Sequence, residues 1–117
     1  MRHRVRGNSL SRNQSERKAL LRSMAVSLIE RGKIRTTVAK AKALRPFVEP
    51  LVTRAKEDSV HNRRIVASRI PNKKAVQKLF SEVAPKYESR NGGYLRIIKV
   101  SGFQRGDATR LAEVHWV

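Results

Sequence analysis

The sequence predicts an α+β protein of two layers, with about four helices packed on a small three-stranded mixed sheet and a basic N-terminal arm. Three observations carry this. Apolar residues recur at spacings of three and four through most of residues 14–84, the period of helices with one buried face. A short β-rich segment at 33–37 interrupts that run. After Pro85 the pattern changes to β-branched and aromatic residues in alternation. Strands on both sides of a helical block, with no regular β–α alternation, give helices covering one face of a sheet.

Residues 1–12 hold too few apolar side chains to bury and are expected to form a disordered basic arm. Residues 13–117 are expected to form one globular domain. Asn13-Gln14-Ser15-Glu16 has the spacing of a capping box. A helix should follow over about 14–31, with Leu20, Leu21, Met24, Leu28 and Ile29 on one face. Gly32 supplies the left-handed residue that ends it. Lys33-Ile34-Arg35-Thr36-Thr37 reads as a strand.

Thr37 can cap a second helix over about 38–56, whose apolar face runs from Val38 through Leu44, Val48 and Val52 to Ala55. Pro46 and Pro50 fall inside it, and each removes a backbone donor, so a kink or a break into two helices is expected there. Asp58 or Ser59 can cap a third helix ending at Ile70, before Pro71. Asn72 can cap a fourth, to about Ala84, on the stripe Val76, Leu79, Phe80, Val83. Gly92 and Gly93 form a turn into a strand over 94–100, residues 101–109 read as a loop, and a last strand covers about 110–117. The last two strands are expected to pair as an antiparallel hairpin; where the early strand joins them is open.

The chain carries 27 Lys and Arg against 9 Asp and Glu, a net charge of +18 on 117 residues. The surplus is spread, with +8 in residues 1–35 and +5 in each of 36–70 and 71–117. A compact domain at this charge repels itself, so it is expected to work against a polyanion, and nucleic-acid phosphates are the usual one. Cysteine is absent, which excludes disulfides and thiolate metal sites. His3, His61 and His115 are too scattered to suggest a metal site, and no cofactor is expected. No apolar run reaches the ~20 residues of a membrane helix. The N-terminus lacks the apolar core of a secretory signal, so the cytoplasm is the expected compartment. No membrane and no small-molecule substrate are expected as partners.

Catalysis fits poorly. No paired acids, no nucleophile–base motif and no phosphate loop ending in Gly-Lys-Ser/Thr is visible. Polyanion contacts fit better. Arg2, Arg4 and Arg6 alternate in the arm beside His3, and Arg12, Arg17, Lys18 and Arg22 continue onto the first helix, whose N-terminus near Asn13 attracts phosphate. Lys33, Arg35, Thr36, Thr37, Lys40 and Lys42 form a second cluster around a helix start. Arg63 and Arg64 form a third, although neighbours on a helix diverge by about 100°. Tyr94 and Arg96, two apart on a strand, share a face on which a base could stack beside a phosphate contact. Arg105 lies between Gly102 and Gly106 in a loop suited to insertion into RNA. Two other classes remain open. A DNA-binding regulator would need a base-reading helix, for which the third helix is the one candidate. An RNA-processing enzyme would need acids or a His base in one cleft.

The chain also resembles the bacterial large-subunit ribosomal protein seventeen family, essentially over its full length and in order. The resemblance rests on Met1-Arg2-His3-Arg4, on Arg12-Asn13 before an Arg-rich helix with Ser27-Leu28, and on Ile34-Arg35-Thr36-Thr37-Val38-Ala39-Lys40-Ala41-Lys42. Leu44-Arg45, Val48-Glu49-Pro50-Leu51, Asn62-Arg63-Arg64, Leu79-Phe80 with Glu82, and Pro85 follow in order. Arg90-Asn91-Gly92-Gly93-Tyr94 with Arg96, then Arg105-Gly106-Asp107, complete it. Ala43, Gln14-Ser15-Glu16 and the ending His115-Trp116-Val117 depart from the family pattern. The resemblance implies helices over a small sheet and a non-enzymatic 50S component that binds 23S rRNA near the nascent-chain exit. It also implies neighbouring large-subunit proteins as partners. By position, it puts RNA contacts on the start through Arg22, on Arg35 to Lys42 and on Tyr94 to Arg105.

Overall fold

The computed structural model describes residues 13–103 and 110–117. Four helices cover one face of a three-stranded sheet, in the order α1 (Gln14–Arg31), β1 (Lys33–Thr37), α2 (Val38–Ala55), α3 (Val60–Arg69), α4 (Lys73–Lys78), β2 (Leu95–Phe103) and β3 (Arg110–Trp116). Each helix starts on a side-chain cap. The oxygens of Asn13, Thr37, Ser59 and Asn72 accept from the backbone N–H groups of Glu16, Lys40, Asn62 and Ala75. Such a cap satisfies a donor that has no partner within its helix. At the first cap the Glu16 carboxylate accepts from the Asn13 side-chain amide at 3.2 Å, closing the box through side chains. Gly32 ends α1 at φ +86°, and its N–H donates to the Leu28 carbonyl. This left-handed residue turns the chain from helix into β1 in a single step.

Two helices depart from expectation. α2 passes through Pro46 and Pro50 without breaking. Both prolines are exposed and lie one turn apart, so the carbonyls of Lys42 and Pro46 that lose a donor are on the solvent side, where water can replace it. The opposite face stays buried through Ala41, Leu44, Val48, Leu51, Val52 and Ala55. The helix begun at Asn72 is α-helical only to Lys78, then widens into a π turn (Leu79–Val83) and tightens into a 3₁₀ turn (Ala84–Tyr87). Pro85 accounts for the change, because it has no N–H and its ring would meet the Ser81 carbonyl in a regular α-helix. In the π turn the Ala84 N–H reaches the Leu79 carbonyl instead. Leu79, Phe80, Val83, Ala84 and Tyr87 all remain buried.

The sheet is antiparallel throughout, in the order β1-β3-β2. The expectation of a mixed sheet is corrected here. β1 and β2 run parallel to each other but are separated by β3, which is antiparallel to both. Ala112 and Val114 of the central strand are fully buried beneath the helices. β2 also runs on through Ser101–Phe103, which read as loop. Between the pairs Lys99–Ala112 and Phe103–Arg110 the ladder slips, and the bulge absorbs the extra β2 residues.

The C-terminal end is tied on three sides. Val117 N–H donates to the Tyr94 carbonyl at 2.9 Å, and the Tyr87 hydroxyl donates to the Val117 carbonyl at 2.8 Å. The Trp116 indole N–H reaches the Leu28 carbonyl at 3.2 Å. Tyr87 packs between Tyr94 and Trp116, with ring centroids 5.4 and 6.2 Å away.

Candidate nucleic-acid interface

The sheet buries one face and leaves the other open. Residues directly opposite on paired strands share a face, so the register fixes what the open side carries. Lys33 stands opposite His115, and His115 opposite Arg96, which makes a cross-strand row of two cations flanking a histidine. The next row is Arg35, Glu113 and Ile98. Glu113 is the acid in the middle: Arg35 donates to it at 2.9 Å, and His115 Nε2 lies 2.9 Å from its other oxygen. The Arg35 hydrogen bond, then the His115 one, hold the Glu113 carboxyl below its ordinary pKa. Ile98, 40% exposed, is the apolar member of this face.

Beside this face, along the edge strand β1, a groove of about 340 Å³ separates the strand from α1. From α1 it receives Ser23, Ser27 and Arg31, spaced four apart and so on one helix stripe; from β1 it receives Lys33, Arg35 and Thr36. Met24 and Ile34 complete the lining. Gly32 brings this about, since its turn folds β1 back beside the last turns of α1. Three hydroxyls and three cations converge there, and no carboxylate is in the lining. That donor set suits a phosphodiester, which offers only acceptors and negative charge. Ser23, Ser27 and Arg31 were not among the expected contacts. Their i, i+4, i+8 stripe, polar beside an apolar face, was the available signal.

The other expected contacts divide into groups. Lys18, Lys42 and Arg96 are exposed, and Arg17, Arg22 and Lys40 are half-buried; they lie outside the α1–β1 groove lining. Arg22 instead faces the α3–α4 connection, in a second groove with Ser23, Val26, Pro71 and Asn72. Asn13 is the expected cap, and both ends of its side-chain amide are engaged with Ser15 and Glu16. Thr37 is likewise a cap, 8% exposed, with its hydroxyl accepting from Lys40 N–H at 3.2 Å. Arg63, though exposed, is engaged by two bonds to Asp58, at 2.5 and 2.9 Å, and lies over the Phe80 ring. Those hydrogen bonds hold the Asp58 pKa down and raise that of Arg63. Arg64 remains exposed. Arg2, His3, Arg4, Arg6, Arg12 and Arg105 lie outside the described residues.

Tyr94 is the clearest correction. It is 1% exposed and precedes β2, so it does not share a face with the exposed Arg96 and its ring is closed to a base. Its hydroxyl lies 3.0 Å from Thr53 Oγ1, receives Lys56 Nζ at 3.3 Å and is 3.3 Å from the Arg90 carbonyl. Burial pushes its pKa up, but bonds from Thr53, Lys56 and the Gly92 backbone, with the Lys56 charge, bring it below the ordinary tyrosine value. Glu49, one of the few acids, is structural too: its carboxylate accepts the Leu95 N–H at 3.2 Å and so pins the start of β2 to α2. Among the described residues no group of His, Asp and Glu could hold a metal ion, and no helix is long and apolar enough to cross a membrane.

A helix-backed sheet with a basic open face, edged by a groove of hydroxyls and cations, is the arrangement of a small basic α+β protein whose exposed surface suits a polyanion. Comparison with known proteins gives the particular family. The sequence profile of ribosomal protein L17 matches residues 20–117. Proteins named large ribosomal subunit protein bL17 are similar over the whole chain. The one from Persephonella marina is 52% identical, covering 100% of this chain and 95% of its own length. That from Neorickettsia sennetsu is 50% identical, covering both chains completely, and that from a Sulfurihydrogenibium species 49%, over 100% of this chain and 97% of its own. The chain belongs to the ribosomal protein L17 family, whose members are non-enzymatic structural components of the large ribosomal subunit, resident in the cytoplasm as part of the ribosome.

Proposed function

We propose that this chain binds 23S rRNA through Arg- and Lys-phosphate contacts and stabilises its folding on the exit-tunnel side of the large subunit, with neighbouring large-subunit proteins as further partners. The observation that carries the reading is the convergence of Ser23, Ser27, Arg31, Lys33, Arg35 and Thr36 on one groove without a carboxylate in its lining. The open sheet face continues that surface through Arg96 and His115. Residues 1–12 act as a basic RNA-binding arm attached to a folded body of residues 13–117. Lys18, Arg22, Lys40, Lys42 and Arg64 add contacts on further sides, as a protein embedded in folded RNA requires. The α3 helix is a poor DNA-reading element, because Arg63 is committed to Asp58 and Phe80.

The test is salt-dependent binding to 23S rRNA, followed by sedimentation of tagged protein from lysate. With on the order of 8 phosphates neutralised, log K should fall against log salt with a slope near −7 on duplex. Co-migration with large subunits should survive a high-salt wash. A nearly flat salt dependence, or a free or DNA-bound pool, overturns the proposal.

A further inference from the structure

We propose that the groove between α3 and α4 receives one unstacked base of the bound RNA, held by its flanking phosphates at the rim; this rests on the rRNA-binding reading above. The groove, about 480 Å³, lies on a different part of the molecule from the α1–β1 groove. Its floor is aliphatic: Ile70 is fully buried and Val76 nearly so. Its walls are open, with Val60 66% exposed at the start of α3 and Ala67 and Pro71 exposed as well. Open apolar surface of this kind on a protein otherwise covered in cations marks a place where something docks.

The rim decides what docks. Arg64 on α3 and Lys73 at the start of α4 are both exposed and stand on opposite walls. The groove lining contains no carboxylate. Arg63 is paired with Asp58 and lies over Phe80, whereas Arg64 is exposed and can turn onto a ligand. A ligand lying between the two rim cations must be anionic at both ends and apolar in the middle. A nucleotide unit with its 5′ and 3′ phosphates has that form, and its base can be covered by a guanidinium plane. The polar groups fit an edge-reading role. Gln77 offers a full amide, the group that pairs with the N6/N7 edge of adenine. Asn72 keeps its amide N–H donors, because only its oxygen serves the Ala75 cap. An acidic peptide shares the charge but has no edge for these amides to read.

The chain has no cysteine, so Ala67→Cys places a single thiol in the groove. Large subunits assembled with this variant, its thiol carrying a benzophenone maleimide, are irradiated and the cross-links mapped; Gln77→Cys on the α4 side serves if the first variant is not taken up. The expected result is a cross-link to an unpaired 23S rRNA nucleotide. That base should then gain reactivity to base-specific chemical probes in subunits carrying Ala67→Trp, which fills the groove but keeps both rim cations. A cross-link to a protein or to base-paired RNA overturns the inference. So does labelling of the unmodified thiol that is as fast in the subunit as in the free protein. Salt-resistant co-sedimentation of the same variant separates that failure from failure of the rRNA-binding reading.

Discussion

Neutralising the two unpartnered cations of the α1–β1 groove gives the most direct measure of what the groove does. Arg31 and Lys33 are both exposed and flank Gly32, whereas Arg35 is held by Glu113 at 2.9 Å. The double substitution Arg31→Gln, Lys33→Gln therefore removes two phosphate-binding charges without freeing a buried acid. Each phosphate contact contributes about 0.9 to the slope of log K against log salt, so the double variant should lose about 1.8. At 0.1 M salt that corresponds to roughly 60-fold weaker binding, shrinking toward no difference near 1 M. Stability should fall by only a few tenths of a kcal/mol, from loss of the Arg31 charge at the end of α1. Filter binding to 23S rRNA over a salt series, with urea unfolding in parallel, reads both quantities. A loss of affinity that is the same at every salt concentration, or an unchanged slope, refutes the phosphate assignment.

Three further outcomes follow from the geometry. Gly32→Ala meets no atom within 4 Å but must hold φ +86°, so it should cost about 1 kcal/mol in urea unfolding, with Gly32→Asn costing less. Tyr94→Phe should destabilise by about 1 kcal/mol through lost hydroxyl bonds while leaving the salt slope for RNA unchanged; a reduced slope would return Tyr94 to the interface. Because the folded-state pKa of Glu113 is depressed, its contribution to stability is present above the ordinary glutamate value of about 4.3 and is lost as pH falls through the lower folded value. Glu113→Gln should therefore flatten part of the acid limb of a stability–pH curve, with Asp58 accounting for some of the slope that remains.

Local chemistry was the legible part of this fold. Asn13, Thr37, Ser59, Asn72 and Gly32 mark the helix ends in the sequence because caps are settled within a few residues of chain. What depends on the rest of the molecule was not legible. Nothing local says that Pro46 and Pro50 face water, which is why α2 continues. Nor does the stripe through Val83 reveal that Pro85 forces the turn before it to widen. Ser101 and Gly102 have turn chemistry, yet a bulge carries them within the β2–β3 pairing. The candidate groove was half legible: charge and position pointed to Lys33, Arg35 and Thr36, but the α1 stripe that completes its lining depends on how β1 folds back. Tyr94 was misplaced because an aromatic residue beside a strand has the same sequence signal whether it faces a base or a tyrosine ring.

The strand order sets a sequence of events during synthesis. β3 is the middle strand of the sheet and follows both of its partners in the chain, and β1 and β2 form no ladder with each other. Until residues 110–117 have emerged from the ribosome making them, both earlier strands lack a pairing partner and the closure by Val117 and Trp116 cannot form. The helices can assemble as they appear, but the open face with its row of Lys33, His115 and Arg96 comes into being only once β3 pairs with both neighbours. Completion of the sheet therefore waits on pairing between residues 33–37 and 110–117, far apart in the chain, whereas the helices need only near neighbours.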